Sequence, residues 1–203
     1  MEFLDVVRRR KMVRSFTDEP VDPDVVRRVL DVARRGPSAG YSQGVEFVVV
    51  TDPATRAAIA EPGREMFEQL QRPDFVAQAQ VHVVICVSPE IYKGRYREAD
   101  KQQVVSEIDE DALWVVPFWY TDAGAAMTLL LLAAVDEGIG AAFVGGLEAD
   151  DVRTLLGIPA EYIPVGIALL GHEAPDAKTW GDVAAAGRRP RRRYDEVVHQ
   201  ERW

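Results

Sequence analysis

A single cysteine stands among 203 residues, Cys86, inside the apolar run Val81–Val87. One thiol cannot build a disulfide framework within the chain, and a reducing compartment is its natural setting. Histidine is scarce as well. His82, His172 and His199 are scattered, and with one cysteine they offer no metal-ligand spacing. A positive surplus is missing: the net charge is −9, which argues against a general nucleic-acid surface. No long hydrophobic run is present either. The longest, Ala123–Val135, covers 13 residues with Thr128 inside it, against the roughly 20 that a membrane span needs. It reads as a buried helix. The first residues are charged and lack the apolar stretch of a signal peptide. The expectation is a cytoplasmic protein with neither membrane nor nucleic acid among its partners.

What is present suits a globular fold. Hydrophobic residues make up 47% and charged residues 28%, enough apolar material to bury one substantial core and too much for a disordered chain. Residues 1–203 read as one domain, without repeats or low-complexity linkers. Glu2–Arg10 suggests a short helix. Asp22-Pro23 is a helix start, an N-cap acid followed by proline in the first turn. Val25, Val26, Val29, Leu30 and Ala33 follow at helical spacing, up to Gly36-Pro37. Strands are expected at Val45–Val50, Val81–Val87, Gly140–Val144 and Tyr162–Leu170. Helical stretches are expected around Pro53–Ala60, Arg64–Leu70, Thr121–Asp136 and Glu148–Leu156. Pro89–Asp111 is polar, has no strand pattern and is long for a plain connection, which marks it as an excursion or lid. Few strands mixed with long helices indicate an α+β fold. The end of the chain is unusual: Val197, Val198 and Trp203 are too apolar for a frayed terminus and should pack on something, such as a second subunit.

The positive charges are unevenly placed. Arg8, Arg9, Arg10, Lys11 and Arg14 sit near one end, and Arg188, Arg189, Arg191, Arg192 and Arg193 near the other. In an acidic protein such clusters suit a small anion, although two solvated basic faces would look the same. Two glycine patterns can be set aside. Gly138-Ile139-Gly140-Ala141-Ala142-Phe143 resembles a dinucleotide fingerprint but follows a helix, where the fingerprint must follow a strand, and ends in Phe143. Gly140 to Gly145-Gly146 has phosphate-loop spacing, but Leu147 stands where that loop needs lysine. Ser38 and Ser42 have no histidine near them in sequence, so nothing supports a nucleophilic triad.

Four segments make sense together. Arg10-Lys11-Met12-Val13-Arg14-Ser15-Phe16 places cations after the first helix. Pro37-Ser38-Ala39-Gly40-Tyr41-Ser42-Gln43 is a loop of small residues between a helix and a strand. Gly145-Gly146 closes a strand, and Arg188–Arg193 supplies the second basic cluster. A cofactor with a flat ring and a phosphate needs these parts: guanidinium groups bind phosphate bidentately, and small residues let backbone approach a ring edge. A fixed positive charge near the ring stabilises its reduced anion.

In this order and spacing the segments resemble the FMN-dependent nitroreductase family over nearly the whole chain. The family's Arg-Arg-Ser-x-Arg-x-Phe opening corresponds to Arg10–Phe16. Its Pro-Ser-Ala-Gly-Asn-x-Gln-Pro-Trp-x-Phe segment corresponds to Pro37–Phe47. Gly138 to Gly146 stands for the third signature and leads into Leu155-Leu156-Gly157-Ile158-Pro159 and Pro164-Val165-Gly166. A basic stretch and Glu196-Val197-Val198-His199, ending in Trp203, form the close.

The resemblance implies a central, mostly antiparallel sheet flanked by helices, with a C-terminal tail exchanged in a homodimer and two FMN sites at its interface. By position, Arg10, Lys11, Met12 and Arg14 would meet the phosphate and ribityl groups, and Arg189 and Arg191 would complete the phosphate clamp. Pro37, Ser38, Ala39 and Gln43 would line the ring, with Gly145 and Gly146 near its N5 edge. No protein residue is expected to act as a catalytic nucleophile. The activity implied is electron transfer from NADH or NADPH through FMN to an electron-poor small molecule such as a nitroaromatic or quinone. A specialised flavin enzyme of the same fold, for reductive dehalogenation or flavin breakdown, and a non-catalytic flavin-binding or sequestering protein remain as alternatives.

Three positions depart from the family pattern. Met12 replaces a hydroxyl residue, Tyr41 replaces asparagine, and Gly44-Val45 replaces Pro-Trp; none removes a phosphate-binding cation. In the excursion and after it, Tyr92, Tyr96, Trp114, Phe118, Trp119 and Tyr120 could wall a substrate pocket. Packing against the start of the central helix is the role that buried tryptophans favour.

Overall fold

The computed structural model of the chain describes residues 1–145, 149–175 and 190–203. Its helices are α1 (Phe3–Arg9), α2 (Pro23–Ala33), α3 (Pro53–Ala60), α4 (Arg64–Gln69), α5 (Phe75–Gln78), α6 (Pro89–Tyr96), α7 (Ala99–Val105), α8 (Glu110–Leu113), α9 (Phe118–Asp136) and α10 (Ala149–Leu156). Its strands are β1 (Val45–Val50), β2 (Val81–Val87), β3 (Gly140–Val144) and β4 (Ile163–Gly171). The helix start predicted at Asp22-Pro23 forms, and Asp52 adds a second cap of the same kind that was not among the expectations. Asp22 accepts the Asp24 N–H at 2.8 Å with Pro23 in the first turn, and Asp52 accepts the Thr55 N–H at 2.8 Å before Pro53.

Among the described residues the strands form one sheet in the order β1-β2-β4-β3, and every neighbouring pair is antiparallel. β2 is buried along its whole length, because both faces of the sheet are covered. Alternation sorts its side chains. Val81 and Val83 face a cluster with Val26, Val29, Leu130 and Leu131 from α2 and α9. Val84 and Cys86 face one with Ile59, Phe67, Phe75 and Val152 from α3, α4, α5 and α10. This is the expected α+β sandwich of helices around an antiparallel sheet. Pro164 lies in the central strand β4 at a bulge, where Ile85 pairs Gly166 and Cys86 pairs Pro164. A bulge is one of the few places a sheet interior tolerates proline.

α9 begins three residues before the predicted Thr121. It ends where Gly138 takes a φ of +79°, with the Gly138 N–H on Val135 O at 3.1 Å and that of Ile139 on Ala134 O at 2.9 Å. The stretch ending in α9 is apolar and long enough to cross a membrane by composition, yet Ala126, Leu130, Leu131 and Ala134 are buried in the core. Gly140 answers a different need. A Cβ there would lie 3.1 Å from a Val13 methyl, and one on Gly171 would lie 2.8 Å from the Phe16 ring. The Val13–Thr17 segment thus lies against the sheet, with the Val13 N–H on Ala141 O and that of Thr17 on His172 O, both at 2.9 Å. These glycines serve helix closure and close packing, and no dinucleotide loop is formed.

The excursion is helical, with α6, α7 and α8 in place of the featureless polar stretch the sequence suggested. Its aromatic rings form a chain: Tyr92 to Trp119 at 6.1 Å, Trp119 to Trp114 at 5.5 Å, and Trp114 to Tyr96 at 5.1 Å. They pack the start of α9, with Trp114 and Trp119 half-buried and Tyr92 buried. Residues 190–203 are exposed throughout, Trp203 completely.

Candidate functional site

A cleft of about 560 Å³ opens where the end of β3 meets α3, α4, α5 and α10. That volume is in the range of small-molecule and cofactor pockets. Arg14 and Gly145, from two separate signatures, both line it. Arg14 is half-buried, and its guanidinium lies 5.8 Å from the centroid of the Phe75 ring. Stacking on an aromatic face fixes the direction of a guanidinium at little cost. The remaining walls are apolar or small: Ala60, Pro62, Gly63, Phe67, Phe75 and Val152, with Asp151 as a carboxylate in the lining. Such a wall admits a flat ring, while the cation suits an anionic group attached to it. The donor set and the space therefore fit a phosphate-bearing aromatic cofactor. A wider groove of about 720 Å³ between α1, α2 and α9 holds none of the predicted residues.

The other cations after α1, Arg10 and Lys11, do not line the cleft. The Arg10 N–H closes α1 on Val6 O at 3.0 Å. Lys11 is exposed and pairs with Glu173 at 2.7 Å. Met12 is exposed. Arg191 is exposed and does not line the Arg14 cleft. Its neighbours Arg192 and Arg193 pair with Glu196 and Asp195 of their own turn. Gly146, Arg188 and Arg189 lie outside the described residues.

Pro37, Ser38, Ala39 and Gln43 form a loop elsewhere in the chain. It leads into β1, whereas Gly145 leaves β3; these are the two edge strands, with β2 and β4 between them. Three interstrand steps separate the edges, about 14 Å. Both segments leave the sheet toward the same side, since Val45 pairs Val87, Val87 pairs Ile163 at the start of β4, and β3 runs from Gly171 back to Ile167 in the middle of β4. The loop is a sharp one. Gly40, Tyr41 and Gln43 have φ of +61°, +57° and +54°. Ser38 Oγ accepts the Gln43 N–H at 2.7 Å, and the Ser42 hydroxyl donates to Ala39 O at 2.6 Å. Both serines thus serve the loop's own backbone. Tyr41 projects into solvent.

Sequence reasoning missed the cleft walls from α3 to α5 and missed the buried Asp122. Two signals were available for the walls: the Pro62-Gly63 break between two helices, and Phe67 and Phe75 as isolated aromatics in a polar stretch. Asp122 inside an apolar helix was equally visible. The Asp122 carboxylate accepts the Ala39 N–H at 2.9 Å and the Tyr92 hydroxyl at 2.7 Å. Burial first, and then Asp122, push the Tyr92 phenol far up, so it stays a donor. Cys86 has no place in this chemistry: burial raises its thiol to about 11, away from the reactive thiolate.

Similarity to known proteins extends over most of the chain. The sequence model of the Nitroreductase family matches residues 7–172. A Thermus thermophilus protein named NADH dehydrogenase is 28% identical over 179 residues, covering 83% of this chain and 85% of its own. A Bacillus subtilis protein named FMN reductase, NAD(P)H, is 24% identical over 94% of this chain and 70% of its own. Among solved structures, a nitroreductase family protein from Streptococcus pneumoniae superposes with a TM-score of 0.73 at 24% identity, over 98% of this chain and all of that one.

Proposed function

The chain belongs to the nitroreductase family, and from that premise we propose that it is an FMN-dependent oxidoreductase taking electrons from NADH or NADPH and delivering them to an electron-poor organic acceptor such as a nitroaromatic or a quinone. The observation that carries the reading is the cleft shared by Arg14 and Gly145. FMN bound there supplies the hydride chemistry at its N5 position. The chain's own residues bind and orient. Arg14 offers the phosphate a fixed guanidinium, Ala60, Gly63 and Gly145 leave room for a ring, and Phe67 and Phe75 keep water out. The name of the Bacillus subtilis relative, FMN reductase, supports the choice of cofactor.

A spectrum of the purified protein tests this first. Flavin absorption is expected, either as isolated or after adding FMN, and NADH or NADPH should bleach it without oxygen until a quinone restores it. A colourless protein that ignores FMN removes the reading. A yellow protein that neither nucleotide reduces turns it into a non-catalytic flavin binder.

The working unit in this reading is a homodimer. One chain keeps the Pro37–Gln43 loop and the Arg14 cleft on opposite edges of its sheet, so a two-fold axis is what brings the loop of one copy toward the cleft of another. Arg189 and Arg191 would join Arg10, Lys11 and Arg14 around the phosphate by the same exchange. Val197, Val198 and Trp203, exposed in the single chain, would gain cover against the second copy. Deleting residues from Asp195 onward should therefore shift the protein to monomer in a size measurement and lower its melting temperature. A truncated protein that stays dimeric with unchanged melting removes the tail from the interface.

A further inference from the structure

The Pro37–Gln43 loop holds two non-glycine residues, Tyr41 and Gln43, in the left-handed region. Such conformations persist only where the surroundings impose them. The imposing groups come from two other elements. Asp122, in the first turns of α9 and only 7% exposed, uses a single oxygen, Oδ2, to accept both the Ala39 N–H and the Tyr92 hydroxyl. Tyr92 on α6 is fully buried, and its ring occupies the space a Cβ on Gly44 would need, 2.5 Å away. One turn later, Arg95 donates from Nε to Gly40 O at 3.0 Å, and the Tyr96 ring lies 2.6 Å from where a Gly40 Cβ would stand. The guanidinium of Arg95 also holds Asp100 of α7 through two contacts of 2.7 Å. The loop is thus gripped at Ala39 and Gly40, and at Gly44 just after it, by one face of α6 together with one buried carboxylate.

A buried carboxylate is costly unless fully hydrogen-bonded, and the partners of Asp122 are chiefly this loop and the tyrosine behind it. We propose that Asp122 and Tyr92 are positioning residues for the cofactor site: they set the Ser38–Gln43 backbone in one shape before a flavin arrives, and Arg95 ties that shape to the excursion through Asp100. The proposal rests on the reading above, in which this loop faces the flavin. It adds a reason for the helical excursion, which in this view supports the loop from behind. Preorganising a loop in its bound conformation raises affinity by lowering the ordering cost at binding.

The test uses the full-length protein with Tyr92→Phe, Asp122→Asn and Asp122→Ala. Tyr92→Phe keeps the ring against Gly44 and removes only the hydroxyl. Asp122→Asn keeps an oxygen that can accept the Ala39 N–H. Amide exchange of residues 37–43 is read without FMN, FMN affinity is read by flavin fluorescence, and the melting temperature serves as the control. Exchange in the loop is expected to quicken at least about tenfold in Tyr92→Phe, the lower end of what one lost hydrogen bond to a charged group brings. It should quicken further in Asp122→Ala, with Asp122→Asn between parent and alanine. FMN affinity should weaken in the same order, while exchange of the β2 amides stays at the parent rate. Loop exchange at parent rates in Tyr92→Phe and Asp122→Ala would overturn the proposal, and so would a loosened loop with undiminished FMN affinity. A parent protein that does not bind FMN refutes the functional reading instead. The exchange data would still show whether the grip exists.

Discussion

The Arg14→Ala variant is expected to bind FMN about 10- to 150-fold more weakly than the parent, the equivalent of about 1.5–3 kcal/mol for one lost charge-assisted contact. The size follows from where the side chain sits. Arg14 is half-buried in the cleft lining and stacked over Phe75, so it is screened less than the exposed cations beside it and its fork is already oriented. Lys11 makes the contrast: it is exposed and does not line the cleft. Lys11→Ala should accordingly cost less than Arg14→Ala, and Arg14→Lys should fall between the parent and alanine, because charge survives while the planar fork does not. Titration of FMN into each apo-protein, followed by fluorescence quenching, measures the series. Equal dissociation constants for the parent and Arg14→Ala would show that the phosphate is held elsewhere and would detach the cleft from the function proposed for it.

Acidification should destabilise the fold well above the range where carboxylates protonate, and His82 is the cause. Its side chain is completely buried on β2. One ring nitrogen, Nε2, lies 2.8 Å from Val76 O. Nδ1 has no hydrogen-bond partner among the described residues. That arrangement suits a neutral ring donating from Nε2. Protonation would bury a charge and an unsatisfied N–H, with Arg56 nearby as a further penalty. Burial, above all, therefore lowers the His82 pKa from 6.5 to about 4. In the unfolded chain the same imidazole titrates near its ordinary value. Between about pH 6.5 and 4 the unfolded state binds the extra proton, so stability rises with pH across that window. The contribution is fully present above 6.5 and lost as pH falls through 4, a change on the order of 3 kcal/mol. Urea unfolding of the parent and of His82→Leu at intervals from pH 7 to 4 isolates it, because the exposed carboxylates titrate alike in both. Between pH 7 and 4 the parent should lose stability relative to His82→Leu, by on the order of 3 kcal/mol, whichever of the two is the more stable at pH 7. A difference that stays constant across the window would show that His82 is not the acid-sensitive group.

Much of the fold was legible because it depends on local chemistry. Asp22-Pro23 and Asp52-Pro53 mark helix starts wherever they occur. β1, β2 and β3 have the predicted bounds, since a run of apolar and β-branched residues marks a strand whether it is central, as β2 is, or at an edge, as β1 is. The excursion was not legible: α6, α7 and α8 are short, α7 and α8 bury no residue, and in α6 the rings of Tyr92 and Tyr96 lie against Gly44 and Gly40, so no periodic face shows in sequence. The start of α9 was missed for a related reason. Trp119 and Tyr120 belong to the aromatic chain reaching back to Tyr92 and Tyr96 and interrupt the pattern of the helix they begin.

The candidate site divides along the same line. Arg14, Gly145 and the Pro37–Gln43 loop could be chosen from residue type and order, because cations, glycines and small residues state their chemistry wherever they fall in a chain. Their grouping could not. Arg14 shares a cleft with Gly145 only because Val13 and Phe16 pack onto Gly140 and Gly171, and the Pro37–Gln43 loop lies apart from them because β1 and β3 are opposite edges of the sheet. Asp122 gains its role only when α9 delivers it beneath Ala39. Composition, helix starts, strands and the list of chemically suited side chains were therefore determined by the sequence alone, being properties of short segments. Which of those side chains face a common space was decided by tertiary structure, since strand order and close packing join residues more than a hundred positions apart.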